Sequence, residues 1–356
     1  MTLPTPIDAE PRAAGAPLLE VSGLRTHFVL DEGVVASVDG VDLTVRRGRT
    51  LCVVGESGCG KSVTARSILR LVEPPGRIVD GTITWHGGAE PVDLARLDGR
   101  GERLRRLRGN EISMIFQEPM ASLSPLRTVG AHLVEAIRLH RPDTRKEAAE
   151  RGVELLRRVG IPRPAERMDA YPFQLSGGMC QRVMIALALA CDPDLLIADE
   201  PTTALDVTTQ ARILDLLLEL QEERGMAVLF ITHDLGVVAE IADEVAVMYL
   251  GTVVEQGGVD DVFHHPRHPY TRALLRSVPR LGSGRRRRVP AIEGQVPHPL
   301  HRPAGCPFHP RCDEAIAGTC DVSAPPAVTV GTTTTRCVLP LMETTEGQGH
   351  GRREHL

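Results

Sequence analysis

The sequence is poor in lysine, in aromatic residues and in long apolar runs. Only Lys61 and Lys146 are lysines among 41 basic side chains, and the chain of 356 residues has one Trp, three Tyr and six Phe. The longest apolar run, Val183 to Cys191, is far shorter than the ~20 residues that a helix needs to cross a bilayer. The N-terminus also lacks the apolar core of a secretory signal. We therefore expect a cytosolic protein, which can still lie on a membrane through a partner.

Charge and hydrophobicity narrow the class further. The net charge is −5, so the chain has no overall polycationic character and no nucleic acid partner is expected. Hydrophobic residues make up 42% of the sequence, which excludes disorder of the whole chain and is enough for a sizeable core. The length predicts one large domain with a smaller addition.

The chain divides into three parts by composition. Residues 1–17 are rich in Pro, Ala and Gly and are predicted to form a flexible leader. Residues 18–270 show strand and helix patterns, and residues 271–356 are rich in Pro, Arg and Cys with little periodicity. This last part is predicted to be a separate C-terminal extension.

Residues 18–270 are predicted to form an α/β domain. Turn residues separate four short β-rich runs, which predicts an antiparallel subsheet; residues from about 95 to 190 are mostly helical in pattern, including Leu94–Arg108. Two later apolar runs flank a predicted helix, as in a βαβ unit with buried parallel strands. The β-rich runs are Leu18–Val21, Thr26–Leu30, Val34–Val38 and Val41–Val45; the βαβ unit comprises Leu195–Ala198, Gln210–Glu223 and Val228–Ile231.

A glycine-rich phosphate loop follows the predicted strand Thr50–Val54. It matches the pattern G-x-x-x-x-G-K-(S/T) in the strand–loop–helix context that the motif requires. Glycines let backbone N–H groups surround phosphate oxygens, Lys61 can reach the β- and γ-phosphates, and the Ser62 hydroxyl can bind Mg²⁺. The predicted nucleotide contacts are Gly55, Ser57, Gly58, Cys59, Gly60, Lys61, Ser62 and Val63.

Two carboxylates end a second apolar strand, about 140 residues after the phosphate loop. Asp199 is predicted to hold Mg²⁺ through water, and Glu200 to polarise the water that attacks the γ-phosphate. A second anion site is predicted at Ser176, Gly177 and Gly178, because free N–H groups at a helix N-terminus favour phosphate.

The chain thus has two predicted phosphate-binding sites that are far apart in the sequence. Such a pair of sites resembles the ATPase subunits of ATP-binding cassette (ABC) transporters. In that family the Ser176–Gly178 signature completes the ATP site of a second subunit. By resemblance, Gln117 senses Mg²⁺ and the water, Asp206 in Ala204–Asp206 belongs to the loop between the two sites, and His233 contacts the γ-phosphate. The catalytic set is then Glu200, His233, Gln117 and Lys61, with Ser62, Gln117 and Asp199 as Mg²⁺ ligands.

Three smaller predictions concern aromatic and thiol side chains. Phe28 precedes the phosphate loop by the family's interval and is either the ring that stacks on adenine or a core residue. Cys59 and Cys180 are either small residues that fit or thiols with a lowered pKa near a helix N-terminus. Met179, where the family usually has Gln, resembles the oligopeptide and dipeptide branch.

The C-terminal extension carries the remaining branch features. The run from His265 to Thr271 resembles the boundary motif of oligopeptide/dipeptide and nickel importer ATPases. Four cysteines with C-x5-C-x7-C-x16-C spacing follow, and they suit a [4Fe–4S] cluster, Zn²⁺ or no metal. They are Cys306, Cys312, Cys320 and Cys337. The basic cluster Arg285–Arg288 is either a solvated linker or a contact for an anionic membrane surface; nucleic-acid binding is less favoured, because no aromatic residue lies among the arginines.

The resemblance implies a P-loop NTPase cassette: a parallel core sheet of the RecA type, an antiparallel β subdomain and an inserted helical subdomain. It implies an ATP-hydrolysing subunit that powers import of peptides or related solutes. Its partners would be a second identical or paralogous cassette, two permease subunits and an extracytoplasmic binding protein. It would lie at the cytoplasmic face of the membrane. The alternative is a soluble ABC-type ATPase acting on nucleic acid or ribosomes.

Overall fold

The computed structural model describes residues 15–203, 205–277 and 292–341. Most of the predicted leader and the cluster Arg285–Arg288 lie outside this part of the chain, as does Ala204.

Twelve strands run through the described residues. They are β1 (Pro17–Leu30), β2 (Gly33–Arg46), β3 (Thr50–Val54), β4 (Gly76–Trp85), β5 (Val92–Asp93), β6 (Ile112–Ile115), β7 (Leu195–Asp199), β8 (Ala227–Ile231), β9 (Glu244–Tyr249), β10 (Thr252–Gly258), β11 (Val328–Val330) and β12 (Thr333–Thr335).

Eleven α-helices connect or cover these strands in the same part of the chain. They are α1 (Lys61–Ile68), α2 (Glu102–Leu107), α3 (Pro119–Ser122), α4 (Val129–His140), α5 (Arg145–Arg158), α6 (Pro164–Arg167), α7 (Gly177–Ala188), α8 (Val207–Arg224), α9 (Leu235–Ile241), α10 (Val259–His264) and α11 (Pro269–Arg276).

The main sheet has eight strands in the order β11-β12-β10-β9-β3-β8-β7-β6. The five strands from β9 to β6 are mutually parallel, and β10, β12 and β11 extend the sheet in antiparallel pairs. A second sheet, in the order β2-β1-β4-β5, is entirely antiparallel. The α/β class with an antiparallel subsheet is therefore confirmed.

The side chains of the central strands alternate between two hydrophobic cores. In β3, Cys52 and Val54 belong to one cluster, while Leu51 and Val53 belong to the other. Strand residues alternate across a sheet, so a continuous apolar run fills both faces when both are covered. This explains why β3, β7 and β8 are buried along their whole length.

The four short strands predicted before residue 46 are wrong in number, because they form two strands of 14 residues. Only the turn between Leu30 and Gly33 separates β1 from β2. Gly40 has a φ of +70°, and the register between the two strands shifts several times. The predicted turn at Asp39–Gly40 is thus absorbed as an irregularity within β2.

The helix predicted over Leu94–Arg108 is also wrong. A 3-10 turn occupies Leu94–Arg96 and α2 begins only at Glu102. Gly99 and Gly101 lie between them, and the Asp98 carboxylate accepts the Arg100 N–H, which favours a turn over a helix. In addition, β6 lies within the range predicted as helical and joins the main sheet beside β7.

The C-terminal extension is connected to the main sheet. Thr335 and Thr334 of β12 pair with Glu255 and Gln256 of β10. α11 begins at Pro269, within the run from His265 to Thr271. Just before it, the buried Glu255 carboxylate accepts the N–H groups of Arg267 and His268 at 2.6 and 2.9 Å. This contact fixes the direction in which α11 leaves the sheet.

In the ranges that the structure describes, no helix combines the length and the apolar character needed to span a bilayer.

Candidate nucleotide site

The predicted catalytic side chains lie at one edge of the main sheet. The phosphate loop follows β3, Gln117 follows β6, Asp199 ends β7 with Glu200 directly after it, and His233 follows β8. These four strands are neighbours and parallel, so their carboxyl ends meet at the same edge. Open parallel sheets bind ligands at that edge.

Two glycines let the phosphate loop pack closely against the rest of the chain. Gly60 has a φ of +101°, and a Cβ there would lie 2.2 Å from the carbonyl oxygen of Ser37. A Cβ on Gly55 would lie 2.2 Å from the carbonyl oxygen of Met248. A side chain at either position would therefore displace the loop, whereas Gly58 has open space around it.

Lys61 is buried at the start of α1, with an exposed fraction of 6%. Its Nζ donates hydrogen bonds to the carbonyl oxygens of Gly55 and Glu56 at 2.7 and 3.1 Å. The ammonium group therefore lies inside the curve of the phosphate loop. Ser57 and Gly58 are exposed at the rim of the loop, and Val63 packs against the hydrophobic core.

Asp199 and Ser62 form the part of the site that fits a divalent cation. Ser62 Oγ donates to Asp199 Oδ1 at 2.9 Å, although the two residues are 137 positions apart. Asp199 is fully buried, and its Oδ2 has no hydrogen-bond partner. Burial raises the pKa of Asp199, and the neighbouring Glu200 charge raises it further, while the Ser62 hydrogen bond opposes both. A hydroxyl and an unpaired carboxylate oxygen are the ligand types that Mg²⁺ prefers.

Glu200 lies at the centre of a second group. Its carboxylate is 3.2 Å from His233 Nδ1 and accepts a hydrogen bond from Gln117 Nε2 at 3.4 Å. Thr203, which sequence reasoning did not identify, donates its hydroxyl to the same carboxylate at 3.3 Å. Glu200 has a φ of +49°, an unusual conformation for a residue with a side chain and one found at functional sites.

Ser176 and Asp206 both cap helices. Ser176 Oγ accepts the Met179 N–H at 3.3 Å at the start of α7, and Gly177 is exposed beside it. At the start of α8, the Asp206 carboxylate accepts the Thr209 hydroxyl at 2.7 Å and the Thr209 N–H at 3.0 Å, and these two hydrogen bonds lower the pKa of Asp206. These contacts are local, so the predicted role of both residues toward a second subunit stays a prediction.

The aromatic and thiol predictions are placed as follows. Phe28 is half-buried in β1 and pairs in register with Gly76, whose position leaves room for the ring. Its stacking on adenine stays a prediction. Burial raises the pKa of both Cys59 and Cys180, so the structure favours small buried thiols over reactive thiolates at these positions.

The four cysteines of the extension line one small cavity, together with His268 and Phe308. Burial raises the pKa of Cys312 and of Cys337 to about 11. Across residues 15–203, 205–277 and 292–341, however, no three His, Cys, Asp or Glu side chains form a group that could hold a metal ion. The donor chemistry fits a metal, but a formed metal site is not present among these residues.

Sequence reasoning also missed two contacts that join the C-terminal part of the chain to the phosphate loop. Tyr270 Oη accepts the Glu56 N–H at 2.9 Å, and Arg311 forms an ion pair with the Glu56 carboxylate at 2.6 Å. Tyr270 lies in the predicted boundary motif, but no spacing in the sequence connects Glu56 to partners that are more than 200 positions away.

Comparison with known proteins agrees with this geometry. The family model "ABC transporter" matches residues 38–203, and "Oligopeptide/dipeptide transporter, C-terminal region" matches residues 254–320. A Brucella melitensis protein named as a peptide import ATP-binding protein is 52% identical over 321 residues, which cover 88% of this chain and 94% of the relative. The dipeptide transport ATP-binding protein DppD of Escherichia coli is 49% identical over 298 residues, covering 84% and 89% of the two chains.

A solved structure has the same cassette fold. It is a dimeric ATP-binding cassette in a post-hydrolysis state, bound to ADP and phosphate, with a TM-score of 0.61 and 27% identity. The match covers 68% of this chain and 99% of that one. The chain therefore belongs to the family of ABC transporter ATP-binding proteins that carry the oligopeptide/dipeptide transporter C-terminal region.

Proposed function

We propose that this chain is the ATP-hydrolysing subunit of a membrane transporter that imports dipeptides or oligopeptides. The observation that carries the proposal is the meeting of six side chains at the carboxyl edge of four adjacent strands: Lys61, Ser62, Gln117, Asp199, Glu200 and His233. The names of the relatives support the peptide class. The match to the C-terminal region disfavours the alternative of an ATPase acting on nucleic acid or ribosomes.

We infer that the phosphate loop binds the β- and γ-phosphates of ATP. Lys61 would transfer its hydrogen bonds from two loop carbonyls to phosphate oxygens, and the N–H groups of Gly58 to Ser62 would face the same oxygens. Ser62, Gln117 and Asp199 would hold Mg²⁺, Asp199 through water. The bound ion supplies neutralisation of phosphate charge.

Glu200 acts as the general base in this proposal. Its carboxylate would accept a proton from the water that attacks the γ-phosphate. Gln117, His233 and Thr203 surround that carboxylate and would orient it.

The second ATPase subunit, identical or paralogous, supplies the other half of the site in this proposal. Ser176, Gly177 and Gly178 at the start of α7 would contact the phosphates bound by the partner cassette, and Asp206 would lie between the two sites. The dimeric state of the solved cassette supports this arrangement. Phe28 would stack on the adenine.

A groove on the helical side of the chain is our proposed contact for the permease subunits. It lies between α4 and α5 and is lined by charged side chains including Arg127, Glu135 and Arg138. Leu139 at its margin is 73% exposed, and Leu126 nearby is 87% exposed. Exposed apolar side chains rimmed by charge are typical of protein interfaces. This contact would place the chain peripherally at the cytoplasmic face, with the peptide delivered by an extracytoplasmic binding protein.

The proposed domains are a leader (1–17), a nucleotide-binding domain (18–270) with a helical part at about 95–190, and an extension (271–356).

We propose that the four cysteines of the extension hold a [4Fe–4S] cluster with a structural role, and their shared cavity supports this proposal. They are Cys306, Cys312, Cys320 and Cys337. Iron and sulfide assay after anaerobic purification tests this, with Cys306→Ser as the control. A colourless protein that contains only zinc, or no metal, would contradict it.

Transport in proteoliposomes tests the proposed function. Vesicles would contain this chain, its partner cassette and its permeases, with the binding protein and a labelled dipeptide on the opposite side. We expect uptake that requires MgATP on the cassette side and disappears with Lys61→Ala. ATP hydrolysis without peptide uptake would contradict the peptide assignment, and uptake by the Lys61→Ala protein would contradict the ATP site.

A further inference from the structure

Glu56 is held by three different parts of the chain. Its N–H donates to Tyr270 Oη at 2.9 Å, and its carbonyl oxygen accepts from Lys61 Nζ at 3.1 Å. Both of its carboxylate oxygens accept from Arg311, at 2.6 and 3.1 Å. One residue of the phosphate loop therefore joins the predicted phosphate ligand Lys61 to two side chains from the C-terminal part of the chain.

The pair between Arg311 and Glu56 has the features of a strong contact. The Arg311 side chain is 4% exposed and that of Glu56 is 26% exposed, so solvent screens the pair much less than a surface ion pair. The bidentate geometry also fixes the direction of the carboxylate, which a single hydrogen bond does not. Removal of one partner from such a buried pair leaves an uncompensated charge.

Arg311 is itself held rigidly. Its guanidinium donates to Tyr249 Oη at 3.2 Å and to the carbonyl oxygen of Glu293 at 3.0 Å. It lies 5.8 and 5.9 Å from the ring centres of Tyr249 and Phe308, within the range of a cation–π interaction. Phe308 packs in turn against Tyr270, with ring centres 5.2 Å apart. The extension thus presents a fixed guanidinium to the phosphate loop.

We propose that Arg311 is a positioning residue for ATP binding: the C-terminal extension holds the phosphate loop in its binding shape through the Arg311–Glu56 pair. The inference rests on the proposed ATP site at Lys61. It assigns to the extension a direct effect on nucleotide affinity, in addition to any metal that its cysteines hold. Arg311 does not contact the reacting atoms in this arrangement and acts through Glu56.

Coupling of this kind is reciprocal. If the extension favours ATP binding, bound ATP must stabilise the extension by the same factor. Amide hydrogen exchange in the segment around Arg311 should therefore slow when MgATP binds, although that segment lies in the extension and contributes no residue to the proposed ATP site. A residue with a purely structural role would not transmit this effect.

The test compares MgATP affinity and amide exchange in the full-length chain and its variants. We expect Arg311→Gln to raise the Kd for MgATP roughly 10-fold, within the range of about 5- to 150-fold that coupling between sites spans. Glu56→Gln should weaken binding in the same direction. The double variant should lose little more than the more affected single variant, because both substitutions break one pair.

Arg336→Gln is the matched control. Arg336 also joins the extension to the rest of the chain, by an ion pair with Asp42 at 3.2 Å in β2, but it does not contact the phosphate loop. Its Kd for MgATP should equal that of the wild-type protein. If Arg311→Gln does not fold, Arg311→Lys serves in its place, since an ammonium group keeps the charge and loses the bidentate geometry.

The inference fails if folded Arg311→Gln binds MgATP as the wild-type protein does, or if the two single losses add in full in the double variant. It also fails if MgATP leaves exchange around Arg311 unchanged in the wild-type protein. Failure of the proposed ATP site looks different: the wild-type protein would not bind MgATP, or Lys61→Ala would bind it equally well.

Discussion

We predict that Asp199 lowers the free energy of unfolding of the protein when no ligand is bound. The side chain is fully buried, its Oδ2 has no hydrogen-bond partner, and burial raises its pKa. Leaving a buried polar atom unpaired costs about 1–3 kcal/mol, and more when it is charged. We expect Asp199→Asn, which removes the charge, to increase the free energy of unfolding of the nucleotide-free protein by about 1–2 kcal/mol. For a domain of this size, each kcal/mol raises Tm by about 2–4 °C.

The effect should depend on pH with a defined sign. The pKa of Asp199 is higher in the folded protein than its ordinary value, so folding disfavours the charged form. The penalty is complete at pH values above the raised pKa and disappears as pH falls below the ordinary value of about 3.9. The advantage of Asp199→Asn over the wild-type protein should therefore be largest at neutral and alkaline pH and should shrink on acidification.

Thermal unfolding without nucleotide measures this directly, and Glu255→Gln is the matched control. Glu255 is also buried with a raised pKa, but both of its oxygens accept backbone N–H groups. In Glu255→Gln, the side-chain NH₂ group would face one of these backbone N–H groups, so two donors would meet without an acceptor. Glu255→Gln should therefore lower Tm. Saturating MgATP should then reverse the order, because the wild-type protein gains about 2.7 kcal/mol at 100 times its Kd and Asp199→Asn gains less. A lower Tm for Asp199→Asn than for the wild-type protein at pH 7.5 would refute the reasoning.

Three further predictions concern packing and access. Phe308→Ala should lower the free energy of unfolding, measured by chemical denaturation, by about 3–5 kcal/mol, because Phe308 is 2% exposed. Phe173 is 66% exposed, so Phe173→Ala should change the same free energy by less than about 0.5 kcal/mol; equal effects would contradict this. Gly60→Ala should abolish binding of a fluorescent ATP analogue, since its Cβ would lie 2.2 Å from the Ser37 carbonyl oxygen, and wild-type affinity would disprove the close approach. The buried Cys59 should resist maleimide in the native protein and react after denaturation, as followed by mass spectrometry; fast native labelling would show an accessible thiolate.

The core of the site was predictable because its chemistry is local in sequence. Lys61 and Ser62 come after the strand that positions them, and Asp199 ends another strand, with Glu200 directly after it. A buried strand followed by glycines or acids therefore predicts both the element and the position of its ligands. The neighbouring order of the strands, which brings these residues together, comes from the family resemblance and not from the residues alone.

The contacts of the extension were not predictable in the same way. Arg311 and Glu56 are 255 positions apart, and no periodicity or spacing connects them. The same limit applies to Thr203, whose hydroxyl contacts the Glu200 carboxylate within a turn in which Glu200 has a positive φ, a conformation that the sequence does not indicate. The two long strands β1 and β2 were divided in the prediction because glycine and aspartate, which usually mark turns, can also be accommodated by irregular strand pairing.

The most direct test of the central claim is the turnover of Glu200→Gln with its partner cassette. Glu200 accepts the proton in the proposed mechanism, and Lys61, Ser62 and Asp199 bind MgATP. Phosphate release and light scattering in MgATP would report turnover and assembly on the same sample. We predict that Glu200→Gln binds ATP, forms a stable cassette dimer and releases no phosphate above background. Phosphate release at the wild-type rate by the Glu200→Gln protein would contradict the account.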